Sequence, residues 1–120
     1  MAIIKTSYNE NEKREIVKCM GMGQHQIKNE VGTKIDVAGY VLYTTVDSGT
    51  GEEKEVISIA GKDGKIFASL SPTVIRSFKD LVEVLGDSGF SVIVKTAKSN
   101  SNRDFFYLEL EWYYHGFNEN

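Results

Sequence analysis

The chain has 120 residues, which is enough for one compact domain and too few for two ordinary ones. It carries 14 Lys+Arg against 17 Asp+Glu, a formal net charge of −3, which excludes a strongly basic nucleic-acid binder of the histone type. A net charge averages over the whole surface, so a local basic patch stays compatible with it. The 41% of hydrophobic residues is typical of a globular domain and not of a disordered chain.

The single cysteine, Cys19, cannot form a disulfide within the chain, which fits a reducing compartment. No apolar segment has the length of a signal peptide core or of a membrane span. We therefore expect a cytoplasmic protein that has no membrane partner.

The first half of the chain is predicted to form three strands after an N-terminal extension of residues 1–30. Residues 34–46 are β-branched and aromatic and predict a long strand, which Gly39 is expected to bend. A turn over 47–52 leads to a strand at 54–60. The Asp-Gly pair within 61–64 predicts a hairpin to a third strand at 65–70.

The second half is predicted to form one helix and two strands. Ser71 can cap a helix over 72–85, where Pro72 suits the first position and Gly86 the end. Strands at 90–97 and 104–112 follow, joined by a polar loop. Residues 113–120 form an aromatic tail that could extend the last strand and cover the barrel, or mediate self-association to a homo-oligomer.

The resulting order β-β-β-α-β-β predicts an all-β domain with one helix over residues 31–112. It is the order of the OB-fold, a five-stranded Greek-key barrel whose helix lies between the third and fourth strands. A ferredoxin-like fold would need a helix between the first two strands, and the 47–53 segment is too short for one.

Cations cluster in the loop between the last two strands, one of the two loops with which OB-folds bind oligonucleotides. Lys95, Lys98 and Arg103 fall within nine residues that contain no acid. Lys62 and Lys65 flank the hairpin before the third strand. We expect these five side chains to contact phosphates, although such a charged loop could simply be solvated.

Five aromatic residues are candidates for stacking on bases. Phe67, Phe105 and Tyr107 alternate out of phase with the apolar residues of their strands. Tyr40 and Tyr43 flank the bend at Gly39, so one of them is expected to face out, and a bulge there leaves open which. Rings exposed beside lysines would form a platform that tolerates any base sequence. The alternative is that the N-terminal extension or a partner chain covers them.

Signals for catalysis or metal binding are weak. The segment Asp47-Ser48-Gly49-Thr50 matches the motif with which aspartic proteases pair two carboxylates, here across a homodimer, but a glycine-rich hairpin turn explains it better. Cys19, Met20, Met22 and His25 could bind a soft metal, yet a glycine-rich loop is the simpler interpretation. We expect no catalysis, no cofactor and no metal.

The run from Val31 to Tyr43, followed by an acidic, glycine-containing hairpin, resembles the first strands of small phage and mobile-element single-stranded DNA-binding proteins of Gram-positive hosts. Their final hairpin is similar to the stretch that contains Lys95, Lys98, Ser99, Arg103 and the Phe105-Phe106-Tyr107 triplet. The resemblance covers about residues 26–110. It implies an OB-fold that binds single strands without sequence preference during replication or recombination, in the host cytoplasm. Replication or recombination proteins are then possible partners.

The predicted function is therefore non-catalytic binding of single-stranded DNA, by base stacking and phosphate contacts. An OB-like protein-interaction or structural subunit without nucleic acid is the first alternative. A homodimeric aspartic protease is a distant second.

Overall fold

The computed structural model describes residues 2–21 and 23–113, with only the backbone described at residue 113. Within these residues the α-helices are α1, Lys13–Met20, and α2, Pro72–Leu85. The seven strands, in chain order, are β1 Ile3–Thr6, β2 His25–Gln26, β3 Lys34–Val46, β4 Glu53–Gly61, β5 Ile66–Ser69, β6 Phe90–Lys98 and β7 Asp104–Tyr113. No helix within the described residues is long and apolar enough to cross a membrane.

Strand β3 organises the sheet because three other strands pair with it. Strand β4 pairs antiparallel with residues 37–46 of β3. Strand β1 pairs with residues 41–43 on the opposite edge of β3, and β6 pairs with residues 34–36 of β3. The sheet order is β2-β5-β4-β3-β6-β7, with β1 as a seventh strand on β3. Among the strands that the structure describes, β2 and β5 alone pair in parallel. The sheet curls strongly into a half-barrel.

The bend in β3 is a β-bulge between Val37 and Gly39. The N-terminal segment closes over it: the Ser7 hydroxyl accepts from the Tyr40 amide at 2.9 Å, and the Thr6 hydroxyl donates to the Tyr40 carbonyl at 2.8 Å. A Cβ at Gly39 would lie 2.4 Å from the Cζ and hydroxyl of Tyr8. Glycine is therefore required here by the close approach of a side chain.

The main core fills the concave side of the sheet and is closed by α2. Phe78 of α2 lies edge-on to Tyr40, with ring centroids 5.2 Å apart, and also contacts Phe90. The Ser71 hydroxyl accepts from the Val74 amide, which confirms the predicted N-cap. The Ser77 hydroxyl accepts from the Leu108 amide at 3.0 Å, so α2 also satisfies part of the free edge of β7.

A second apolar cluster lies on the other side of β3, β4 and β5, beneath α1. Cys19 of α1 is fully buried there with Val41 and Tyr43 of β3, and Ile16 and Met20 pack around them. Strands β3 to β5 are consequently buried on both faces over much of their length, as the burial of all four residues of β5 shows.

The fold prediction is confirmed in part. The five strands after residue 30 and the helix between the third and fourth of them occur in the predicted order, and the protein is mostly β. The prediction of one helix and five strands is wrong, because residues 3–26 supply α1 and two further strands. An OB barrel is not confirmed: the ladders of the described residues leave β7 and β2 as the two ends of the sheet.

We expect the variant Gly39→Ala to lower the free energy of unfolding by about 1–3 kcal/mol, because its methyl group would overlap the Tyr8 ring. Urea unfolding of Gly39→Ala, Tyr8→Ala and the double variant measures this. The double variant should lose clearly less than the sum of the two single losses. Additive losses would contradict the steric explanation.

We also expect stability to fall in alkaline solution. Burial raises the pKa of the Cys19 thiol from 9.0 to about 11. The unfolded chain therefore loses this proton at lower pH than the folded one, so the contribution is intact below pH 9 and is lost as pH rises towards 11. Between pH 8 and 10.5 the Cys19→Ala variant should lose less unfolding free energy than the wild type, by up to about 2 kcal/mol. Equal losses in urea titrations would refute this assignment.

Candidate nucleic-acid interface

The outer face of the β6–β7 hairpin, opposite the main core, brings aromatic and basic side chains together. Antiparallel register places Phe105 opposite Ala97 and Tyr107 opposite Lys95. Directly paired residues share a face of the sheet, so both rings and the Lys95 side chain lie on the same surface. Val92 and Val94 alternate to the other face and are buried in the core.

The Phe105 and Tyr107 rings are half-buried neighbours on this face. Their centroids are 6.0 Å apart and their planes are inclined by 35°, so the rings do not lie flat against one another. Residues two apart on a strand are about 6.6 Å apart along it, which accounts for this spacing. The sequence prediction that these two rings point away from the core is confirmed.

Trp112 extends the aromatic surface along β7. A bulge between Ser91 and Val92 shifts the register, so that Trp112 pairs with Ser91 and joins the face of Tyr107. The indole is 53% exposed. It lines a shallow groove of about 380 Å³ together with Lys34, Asp36, Ser91 and Glu111. We call the surface formed by Phe105, Tyr107 and Trp112 the aromatic stripe.

The sequence pattern predicts no role in binding for Trp112 or Lys34. Trp112 lies at the boundary between the predicted last strand and the tail. The direction of its ring depends on the bulge, which the sequence does not show. Lys34 begins β3 and enters this surface because it pairs with Ile93 of β6, a partner almost sixty residues away. The sequence does not show which residues pair across the strands, and it is this register that places both side chains on the surface.

The lysines of this region form ion pairs with carboxylates on β7. The Lys95 Nζ lies 3.4 Å from Glu109, and the Lys34 Nζ lies 3.6 Å from Glu111. At the tip of the hairpin, Lys98 donates to Asp104 at 2.8 Å. All of these side chains are more than a third exposed, and such surface ion pairs are individually weak.

The hairpin loop is ordered by its own hydrogen bonds. The Ser99 amide donates to the Arg103 carbonyl at 2.8 Å, and the Asn102 amide donates to the Ser99 carbonyl at 2.9 Å. Arg103 is exposed at its end. The loop therefore presents Arg103 beside the aromatic stripe on a defined turn.

The expectation that Tyr40 or Tyr43 faces out is wrong for Tyr40. The ring is 2% exposed, packs in the main core and donates its hydroxyl to Asp87 at 3.1 Å. Burial, reinforced by the hydrogen bond to Asp87 and its negative charge, raises the pKa of the Tyr40 hydroxyl. The bulge turns Tyr40 inward, and its ring has no face open to a base.

Tyr43 and Phe67 are likewise closed to solvent. Tyr43 lies beneath α1, so the alternative that the N-terminal extension covers a ring is correct for this residue. Phe67 belongs to the main core and contacts the His25 ring at 5.5 Å. Because β5 is buried on both faces, alternation of residue types could not show which side faces solvent.

Lys62 and Lys65 lie on the turn between β4 and β5 and are exposed. The Lys62 amide donates to the Asp36 carbonyl at 2.9 Å, which places this turn next to the groove beside Trp112. The Lys65 amide donates to the Asp63 carboxylate, which stabilises the turn. The β4–β5 turn thus lies near the Trp112 end of the aromatic stripe, whereas Lys98 and Arg103 lie at the other end of the hairpin.

Asp47 forms a turn. Its carboxylate accepts from the amides of Gly49, at 2.7 Å, and Thr50, at 3.3 Å, and these hydrogen bonds lower the pKa of the Asp47 carboxyl. This geometry is that of an Asx turn in the β3–β4 hairpin. It supports the turn interpretation of the sequence motif over the protease one.

Metal ligands do not converge in the part of the chain that the structure describes: no three His, Cys, Asp or Glu side chains are grouped to hold an ion. Met22 of the sequence cluster lies outside the described residues, as does the tail from residue 114 for which self-association was predicted.

Comparison with known proteins identifies the family. No curated protein and no solved structure gives a significant match to the chain. A family model described as phage single-stranded DNA-binding protein, of the Phi29 type, matches residues 2–111. The match spans nearly the whole chain and includes the N-terminal segment as well as the β6–β7 hairpin. The chain belongs to this non-catalytic family of phage single-stranded DNA-binding proteins.

Proposed function

We propose that the protein binds single-stranded DNA on the outer face of the β6–β7 hairpin. The aromatic stripe stacks on bases, and Lys34, Lys95 and Arg103 contact phosphates beside it. Lys98, which pairs with Asp104 on the opposite face of the hairpin, contacts the strand at the hairpin tip. Lys62 and Lys65 contact the strand where it passes the β4–β5 turn. The observation that carries this proposal is that three partly exposed rings and Lys95 lie on one face of the β6–β7 hairpin, next to Lys34 of β3.

The stacking surface favours single strands over duplexes because a paired base has its faces covered by its neighbours. Every base has a π-face, so stacking gives little sequence preference. We propose that the protein uses this to coat single strands during phage replication or recombination in the host cytoplasm. An OB-type arrangement of β3 to β7 would suit this role, with the β6–β7 loop at one end of the DNA path.

Loss of either hairpin ring should weaken binding strongly. We expect Phe105→Ala and Tyr107→Ala each to reduce affinity for oligo-dT by about 5- to 150-fold, the range for one stacked base. Fluorescence anisotropy of a labelled oligonucleotide measures this, and quenching of Trp112 provides a second signal. The control is Val84→Ala, which truncates an exposed apolar residue on α2. Wild-type affinity in both ring variants would disprove the assigned face.

Salt should weaken binding in proportion to the number of phosphates contacted. We expect log K to fall by about 0.7 for each of them as log salt rises, since the DNA releases its condensed counterions. Titrations with single-stranded DNA, RNA and duplex DNA in parallel should give the weakest binding for the duplex. Affinity that is independent of salt would argue against phosphate contacts.

A further inference from the structure

The carboxylates of β7 stand where DNA phosphates would have to bind. Glu109 pairs with Lys95, and Glu111 pairs with Lys34, one beside Tyr107 and the other beside Trp112. The cations come from β3 and β6, while both acids come from β7, the strand that also supplies the rings. In the free protein these two lysines are therefore neutralised from within the binding face.

We propose that Glu109 and Glu111 act as internal competitors of the DNA backbone and limit the affinity of the aromatic stripe. A phosphate that approaches Lys95 or Lys34 has to displace a carboxylate that already occupies the ammonium group. The proposal rests on the proposed function and assigns these two acids the role of keeping the DNA exchangeable.

The geometry makes such displacement feasible. The pairs have N–O distances of 3.4 and 3.6 Å, longer than a tight charge-assisted hydrogen bond, and all four side chains are more than a third exposed. Exposed pairs of this kind are weak and are screened by salt. The acids can thus move aside without leaving a buried charge, at the expense of part of the electrostatic attraction to DNA.

Internal competition also alters the salt dependence. When a phosphate takes a lysine from a carboxylate, the freed carboxylate attracts a cation from solution, which offsets a counterion that the DNA released. Each such contact should add less to the salt slope than a contact with an unpaired lysine. Removing the acid should restore the full increment of about 0.7 in the slope for that contact.

The experiment compares two double variants that change the net charge equally. Glu109→Gln/Glu111→Gln removes the competing acids. The control, Glu55→Gln/Glu83→Gln, removes two acids that line the groove between β4 and α2 and pair with no cation among the described residues. Both are titrated with labelled oligo-dT from 50 mM to 500 mM salt. Circular dichroism verifies their folding.

We expect Glu109→Gln/Glu111→Gln to bind about 4- to 25-fold more tightly than wild type at low salt, and its salt slope to steepen by up to about 0.7 for each acid removed. The control should change affinity less than twofold in 0.1 M salt, where charges more than about 10 Å away are screened. Equal gains in both variants would mean that net charge alone acts and would overturn the inference.

The phenotype of Phe105→Ala, measured in parallel, separates this inference from the proposed function. If Phe105→Ala loses affinity while Glu109→Gln/Glu111→Gln and the control double variant behave alike, only the internal competition is wrong. If the ring variant binds as wild type does and the two double variants are again alike, the proposed face and the competition both fail.

Discussion

The rest of the structure depends on the contacts by which the N-terminal segment holds the bend of β3 in place. Strand β3 pairs with β6 before the bend, with β1 after it and with β4 across it, so its bulge decides how the sheet curls. Ser7 and Thr6 bind both the amide and the carbonyl of Tyr40, and Tyr8 packs on the bare backbone of Gly39. With the bend fixed, Tyr40 points into the core and meets Phe78 of α2. Residues 3–20 are therefore an integral layer of the fold.

This layer also determines which face remains for a ligand. Helix α1 covers the outer side of β3, β4 and β5, including Tyr43, and α2 closes the concave side. The outer face of the β6–β7 hairpin lies beyond α1, and it is there that Phe105, Tyr107 and Trp112 are partly exposed. The position of the proposed DNA site thus follows from the packing of the N-terminal segment as much as from the hairpin itself.

The charge of the hairpin shows the difference between sequence distance and spatial distance. Along the chain, the stretch from Lys95 to Arg103 contains cations without an acid. Across the sheet, Lys95 meets Glu109 and Lys98 meets Asp104, because antiparallel pairing brings the acidic strand β7 beside β6. A region that is basic by counting is nearly neutral in the folded protein. Arg103 is exposed at the end of the β6–β7 turn.

The sequence by itself determined the order of the elements from Lys34 onward and the outward direction of Phe105 and Tyr107. Turn glycines, the Ser71 cap and the periodicity of α2 are local signals, and β7 packs Phe106 and Leu108 on the core while Phe105 and Tyr107 lie on its other face, so its alternation is informative. Only the tertiary structure decided the burial of Tyr40, Tyr43 and Phe67, the role of residues 3–20, and the entry of Trp112 and Lys34 into the interface. These depend on a bulge, on a helix laid over a second face and on pairing between distant strands. On a strand that is buried on both faces, apolar residues occupy both faces. Their order along the chain therefore does not show which way each side chain points.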